Sequence, residues 1–135
     1  MPKPTQEDVI KFCHDNTFLD FIGVEIIPNE NGGVHLELPI DEQHTNLYDI
    51  AHGGVLMTMA DTAMGAECFL KNKKVVTASL TMEFMSPVMI DTRIITNAKI
   101  LHDGRHILVC ECEMKNFEGK IFAKAHATFF AIATV

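Results

Sequence analysis

The sequence predicts an α+β protein in which one antiparallel sheet curls around a single buried helix. Residues 53–70 are apolar almost all the way round a helical wheel, which is typical of a helix enclosed by other structure. A few strand-like segments precede this stretch and about four follow it. Strand and helix do not alternate regularly, which argues against a doubly wound parallel sheet and favours one sheet packed on one helix.

The segments before the central helix are short. Residues 5–16 predict a helix, with Thr5 as its N-terminal cap. Residues 23–40 predict a hairpin, because apolar residues alternate on both sides of the turn at 28–33. Residues 39–50 are polar and predict an irregular loop.

Four long strands are predicted after the central helix, separated by short turns that contain proline or glycine. The strands cover residues 75–84, 92–101, 106–114 and 121–133. We therefore expect residues 1–135 to form one domain, with residues 1–20 as an N-terminal helical segment.

Length and composition exclude several classes of protein. The 135 residues suit one domain, and 47% hydrophobic residues suffice for a real core. The net charge of −7 argues against a nucleic-acid partner, because phosphate contacts need clustered basic residues. The sequence shows neither a signal peptide nor the ~18 uninterrupted apolar residues that a membrane span requires, so we expect a cytoplasmic protein without a membrane span.

The cysteines and histidines give no sign of a metal site. Cys110 and Cys112 are two residues apart on a predicted strand, so both should point to one face as reduced structural thiols. His102 and His106 are four apart, but a turn lies between them and no third ligand is evident. We expect no bound metal.

Two features of the central segment carry candidate chemistry. Asp61 lies among apolar residues, where a carboxylate is costly to bury, so it either faces the wetter side of the helix or serves a site. His52-Gly53-Gly54 stands at the predicted helix start. The N–H groups and positive dipole end of a first helical turn suit an oxyanion, although the same residues would also serve as a plain helix entry.

Gly53 and Asp61 are too far apart to act on one carbonyl from the same helix. Eight residues at about 1.5 Å each separate them by about 12 Å. An oxyanion donor and a base must both lie within roughly 3–4 Å of the reacting carbonyl. If both residues are catalytic, they must come from two antiparallel helices, which predicts a symmetric homodimer with two shared sites.

The order of these motifs resembles the PaaI-type, or thioesterase superfamily member 2-like, hotdog thioesterases. The matching stretches are Asn46, His52-Gly53-Gly54, Asp61-Thr62-Ala63-Met64-Gly65, Thr77 to Pro87, Gly104-Arg105, and Gly119 with Ala123. Together they cover about residues 20–133, and Asp91 departs from the pattern because many members have glycine there. The resemblance implies a hotdog fold, hydrolysis of an acyl-CoA thioester, no cofactor beyond the CoA of the substrate, and a dimer of dimers.

The resemblance also implies catalytic roles. Gly53 would donate its N–H to the thioester carbonyl, with Asn46 and His52 organising that side of the site. Asp61 of the partner chain would act on water as a general base or on the carbonyl as a nucleophile. Ser79, on the neighbouring strand, would hold the water or orient Asp61.

Substrate binding is less sharply predicted. Gly54 is expected to contact the substrate, and Arg105 is the basic residue assigned to the CoA phosphates. The identity of the acyl group and the choice between the general-base and covalent anhydride routes stay open. A non-catalytic acyl-CoA binding or sensing protein on the same fold is the alternative function.

Overall fold

The computed structural model describes residues 2–135, which form six antiparallel strands and one long helix with a helical N-terminal segment. The helices are α1 (Gln6–His14), α2 (Thr17–Ile22) and α3 (Gly53–Leu70), with a 3₁₀ turn at Glu42–His44. The strands are β1 (Glu25–Pro28), β2 (Val34–Pro39), β3 (Lys73–Phe84), β4 (Arg93–Asp103), β5 (Ile107–Lys115) and β6 (Ile121–Thr134). Their order across the sheet is β1-β2-β4-β5-β6-β3.

The central helix α3 packs against the inner face of the sheet, as predicted. Met59, Ala60, Ala63 and Met64 are fully buried in the core that α3 shares with the strands. The opposite side of α3 is only half-buried in the single chain and carries Asp61. The helix is therefore enclosed on one side, and the side that carries Asp61 faces outward.

The strands form where the sequence alternates. In β5, Leu108, Cys110, Cys112 and Met114 are buried and the residues between them are not. This confirms the prediction that Cys110 and Cys112 share one face. Both thiols are free, and burial raises the pKa of Cys112 to about 12, so it stays protonated.

The N-terminal segment contains a second helix that the sequence analysis did not predict. Asn16 was assigned to the end of the first helix, but its side chain accepts a hydrogen bond from the N–H of Leu19 at 2.9 Å and caps α2. Gly23 ends α2 in a left-handed conformation with φ of 86°. Phe18 and Phe21 are exposed, so α2 lacks the apolar stripe by which a helix is predicted from sequence.

Strand β3 lies at one edge of the sheet and pairs only with β6 among the described residues. It is 12 residues long, and a register shift between Thr77 and Ser79 inserts a β-bulge. No helix within residues 2–135 has both the length and the apolar character needed to cross a membrane.

Candidate active site

The loop before α3 is anchored by His44, which is 4% exposed. Its Nδ1 accepts from the N–H of Asp41 at 3.0 Å, and its Nε2 donates to the carbonyl of Ile22 at 2.7 Å. The carbonyl of His44 in turn accepts from the N–H of His52 at 2.8 Å. His44 therefore connects α2, the loop and the start of α3. No sequence motif indicates this positioning role.

The first turn of α3 leaves one backbone donor free. His52 Nδ1 accepts from the N–H of Gly54 at 2.9 Å, so the imidazole is neutral with its proton on Nε2. The N–H of Val55 donates to the carbonyl of His52 at 3.0 Å. The N–H of Gly53 makes no hydrogen bond within residues 2–135. The predicted oxyanion donor is thus open, whereas the N–H of Gly54 is already used.

Gly53 is glycine for a steric reason as well. A Cβ at this position would lie 3.2 Å from Cζ of Phe84, at the end of β3. The aromatic ring and the helix start are thus in close contact, and a Cβ at Gly53 would require the exposed Phe84 ring to shift by a few tenths of an ångström.

Asn46 shapes the turn that leads to α3. Its Oδ1 accepts from the N–H of Tyr48 at 2.8 Å and from that of Ile50 at 3.3 Å. The turn projects Leu47 and Tyr48 outward, and their side chains are 95% and 81% exposed. The structure gives Asn46 this turn-forming contact and leaves its predicted catalytic role a prediction.

Asp61 has one hydrogen-bonding partner in the chain, the hydroxyl of Thr77, among the described residues. Thr77 Oγ1 donates to Asp61 Oδ1 at 2.7 Å. The two residues come from α3 and β3, the elements that meet at the sheet edge. This hydrogen bond fixes the direction of the carboxylate and leaves Oδ2 open.

The structure brings Thr77, and not Ser79, to Asp61. Thr77 pairs with Phe129, whose side chain is buried in the core, so Thr77 faces α3. Ser79 pairs with Thr128, the next residue of β6, and therefore lies on the outer face of the sheet. Within one chain Asp61 is therefore bonded by Thr77, because the bulge between Thr77 and Ser79 determines which hydroxyl faces inward. The role expected of Ser79, holding the water or orienting Asp61, stays a prediction.

Two further predicted positions lie away from this contact. Arg105 is exposed in the turn between β4 and β5, next to Gly104, whose carbonyl accepts from Nζ of Lys73 at 2.8 Å. Asp91 adopts a left-handed conformation with φ of 72°, which explains why glycine suits this position.

Gly53 and Asp61 lie eight residues apart on the one helix, as predicted.

The sequence has clear relatives. It matches the thioesterase superfamily over residues 48–123. It is 30% identical over 135 residues to a candidate esterase of Saccharolobus solfataricus, covering 95% of this chain and 96% of that protein. It is 26% identical over 102 residues to the acyl-coenzyme A thioesterase PaaI of Escherichia coli, covering 76% of this chain and 73% of that protein.

Solved structures confirm the hotdog fold. The E. coli PaaI structure has a TM-score of 0.85 at 22% identity, over 93% of this chain and 91% of that one. A Streptococcus pneumoniae thioesterase protein with coenzyme A has a TM-score of 0.76 at 25% identity, over 84% of this chain and 92% of that one. That protein has also been solved with alanine in place of an aspartate and, separately, of a threonine sixteen residues later. Because the matched region spans more than half of the sequence and contains the start of α3, Asp61 and Thr77, this chain belongs to the thioesterase superfamily.

Proposed function

We propose that this protein hydrolyses acyl-CoA thioesters to a free carboxylic acid and CoA. The observation that carries the proposal is the free N–H of Gly53 at the start of α3, next to a neutral, fixed His52. Membership of the thioesterase superfamily supports the reaction class. Two structural relatives hold coenzyme A or acetyl-CoA, which supports a CoA ester as the substrate.

The start of α3 suits the electrophilic half of the reaction. The N–H of Gly53 would donate to the thioester oxygen, and the helix dipole would favour the negative charge that develops there. His52 is exposed next to Gly53, and its Nδ1 contact leaves Nε2–H as the donor of the ring. These groups are in place before substrate arrives, so they need no rearrangement in the transition state.

Asp61 would supply the other half of the reaction from a second chain. About 12 Å of helix separates it from Gly53 in the same chain, which is too far for one carbonyl. Strand β3 ends the sheet with a long unpaired edge, a feature that proteins usually cover. Pairing of β3 with its copy across a two-fold axis would extend the sheet and set the two α3 helices antiparallel.

This dimer would contain two equivalent sites, and in each of them Gly53 of one chain would lie opposite Asp61 of the other. It would also cover apolar side chains at the edge, since Val76 and Phe84 are 48% and 52% exposed in the single chain. We further propose that two such dimers associate into a tetramer. Analytical ultracentrifugation tests this by measuring the mass of the assembly.

Thr77 would act as the positioning residue for Asp61. Its hydrogen bond to Oδ1 directs the carboxylate and leaves Oδ2 free to act. The spacing supports this role, because Asp61 and Thr77 are sixteen residues apart, the separation of the aspartate and threonine replaced in the S. pneumoniae relative.

Two routes use the same groups. In the general-base route, Asp61 takes a proton from water as the water oxygen attacks the carbonyl and the CoA thiolate leaves. In the covalent route, Asp61 attacks the carbonyl, CoA leaves, and water hydrolyses the mixed anhydride. A single turnover in heavy-oxygen water separates them, because anhydride hydrolysis at the aspartyl carbon labels Asp61.

The test is a thiol-release assay over a panel of acyl-CoAs with wild type, Asp61→Asn and Asp20→Asn. Asp20 is an exposed aspartate on α2 and serves as the matched control. We expect turnover by wild type and Asp20→Asn and a loss of about 10²-fold or more in Asp61→Asn. Unchanged activity in Asp61→Asn would defeat the mechanism, and binding without turnover in wild type would favour the non-catalytic acyl-CoA binder.

A further inference from the structure

A cavity of about 590 Å³ lies between the N-terminal helices, α3 and the start of β3. Its volume is within the range of small-ligand sites. Much of its wall is apolar and comes from Val9, Phe12, Leu19, Phe69, Val75 and Ile132. This apolar part of the wall suits a hydrocarbon chain, whereas Lys73, Lys74, Asp15 and Asn16 add polar groups elsewhere in the lining.

The cavity begins at the proposed reactive carboxylate. Asp61 and Thr77 both belong to its wall, at the hydrogen bond that joins α3 to β3. A thioester carbonyl held at Asp61 carries sulfur on one side and the acyl chain on the other. Since apolar residues of α1, α3 and β3 line the same cavity as Asp61, the acyl chain has a place to enter within the chain that supplies Asp61.

Gly65 lies along the path that this acyl group would take. It follows Asp61 by one helical turn, about 6 Å along the axis, and it lines the cavity. A Cβ built at Gly65 meets no atom within 4 Å apart from the backbone of its own helix. The absent side chain therefore leaves free volume beside the path, and any side chain placed there would occupy it.

The far end of the cavity is bounded by a stacked pair of rings. Phe12 of α1 and Phe69 of α3 have ring centroids 5.0 Å apart at an interplanar angle of 19°. Phe69 lies two turns beyond Asp61, about 12 Å along the axis. An extended alkyl chain zigzags and advances roughly 1.25 Å per C–C bond, so it needs about ten bonds to span that distance.

We propose that Gly65 admits, and the Phe12–Phe69 pair limits, a medium-length acyl group that lies in the cavity between α1, α3 and β3. The inference rests on the proposed thioesterase function and names its substrate class. It makes the N-terminal helix, which contributes no catalytic group, the element that determines the length of the acyl chain.

The first test replaces Gly65 with Ala and with Leu and measures kcat/KM for acyl-CoAs from acetyl to palmitoyl. Both changes favour the helix, so circular dichroism should show a folded protein. We expect the ratio of kcat/KM for octanoyl-CoA to that for acetyl-CoA to fall slightly in Gly65→Ala and by roughly tenfold or more in Gly65→Leu. An unchanged ratio in folded Gly65→Leu would overturn the proposal.

The second test opens the far end with Phe12→Ala, using Lys11→Ala on the same helix as the control. Lys11 is exposed and lies outside the cavity wall. We expect the preferred chain length to increase in Phe12→Ala and to stay unchanged in Lys11→Ala. Wild type inactive on every acyl-CoA would refute the proposed function itself, whereas an active wild type whose length profile ignores both Gly65→Leu and Phe12→Ala would refute only the acyl pocket.

Discussion

Thr77 Oγ1 donates a 2.7 Å hydrogen bond to Asp61 Oδ1 and so connects the edge strand to the outward side of the central helix. The contact joins a residue in the middle of α3 to one in β3 sixteen positions later. It exists because a β-bulge directly after Thr77 leaves this hydroxyl on the inner face of the sheet.

Replacing Thr77 by Val removes this hydrogen bond with little change of shape. We expect kcat to fall about 10- to 100-fold, because the carboxylate loses the group that directs it. Thr77→Ser retains the hydroxyl and should keep most of the activity, and Ser79→Ala should be close to wild type. Steady-state kinetics on one acyl-CoA suffice, and a loss in Ser79→Ala equal to that in Thr77→Val would contradict the assignment.

The contrast between Thr77 and Ser79 marks the limit of what the sequence could predict. The central helix was predicted with its observed bounds, Gly53–Leu70, because a glycine pair and a continuous apolar stretch define it. The inward-facing hydroxyl of β3 depends on a bulge, and strict alternation along the sequence does not show where an extra residue is inserted. Helix α2 is not predicted from the sequence either, because Phe18 and Phe21 are exposed and leave no amphipathic pattern.

The shared-site dimer predicts complementation between two inactive variants. Asp61→Ala removes the carboxylate, and Gly53→Pro removes the N–H at a first helical position that tolerates proline. The proline Cβ requires a small shift of the exposed Phe84 ring, so circular dichroism should confirm that the variant is folded. Each homodimer should be inactive, whereas a mixed dimer contains one site with both native groups.

The measurement is activity after co-refolding the two variants at equal concentration. We expect roughly a quarter of wild-type activity, since half of the dimers are mixed and each has one working site. If mass spectrometry shows that mixed dimers have formed and activity still does not increase, sites built from two chains are excluded.

His44→Leu should destabilise the protein and loosen the start of α3. The change removes both side-chain hydrogen bonds and strands the buried carbonyl of Ile22 and the N–H of Asp41. A cost of about 2 kcal/mol follows from leaving the buried carbonyl of Ile22 unpaired, whereas Asp41 is exposed and its N–H can bond water. Urea unfolding checks the stability, and His44→Gln, which retains hydrogen-bonding capacity, should lie between Leu and wild type.

Asp91→Gly should raise the stability slightly without affecting catalysis. Asp91 has φ of 72°, and a non-glycine residue in this region costs about 1–2 kcal/mol, less for aspartate than for bulkier side chains. Glycine relieves this strain but gains freedom in the unfolded chain, so the net increase in the free energy of unfolding should be about 0.5 kcal/mol. Asp91→Val should instead lower the melting temperature, and the opposite order would show that φ does not govern this turn.

Glu67 should make the protein less stable as pH rises. A salt-bridged carboxylate, whose pKa is lowered by folding, has the opposite effect. Burial raises the pKa of this α3 side chain, and the nearby backbone of Val34 and the charge of Lys71 offset only part of the rise. The folded state therefore holds the proton more tightly than the unfolded state, whose glutamate titrates near about 4.3. The contribution of Glu67 to stability thus falls as pH rises from that value through the folded pKa.

Glu67→Gln keeps the shape of the side chain and cannot ionise. We expect the variant to be more stable than wild type at neutral pH and the difference to vanish below about pH 4, where Glu67 is protonated in both states. Thermal unfolding at a series of pH values measures the difference. A Glu67→Gln variant that is less stable than wild type at neutral pH would mean that the ionised carboxylate is satisfied in the folded protein.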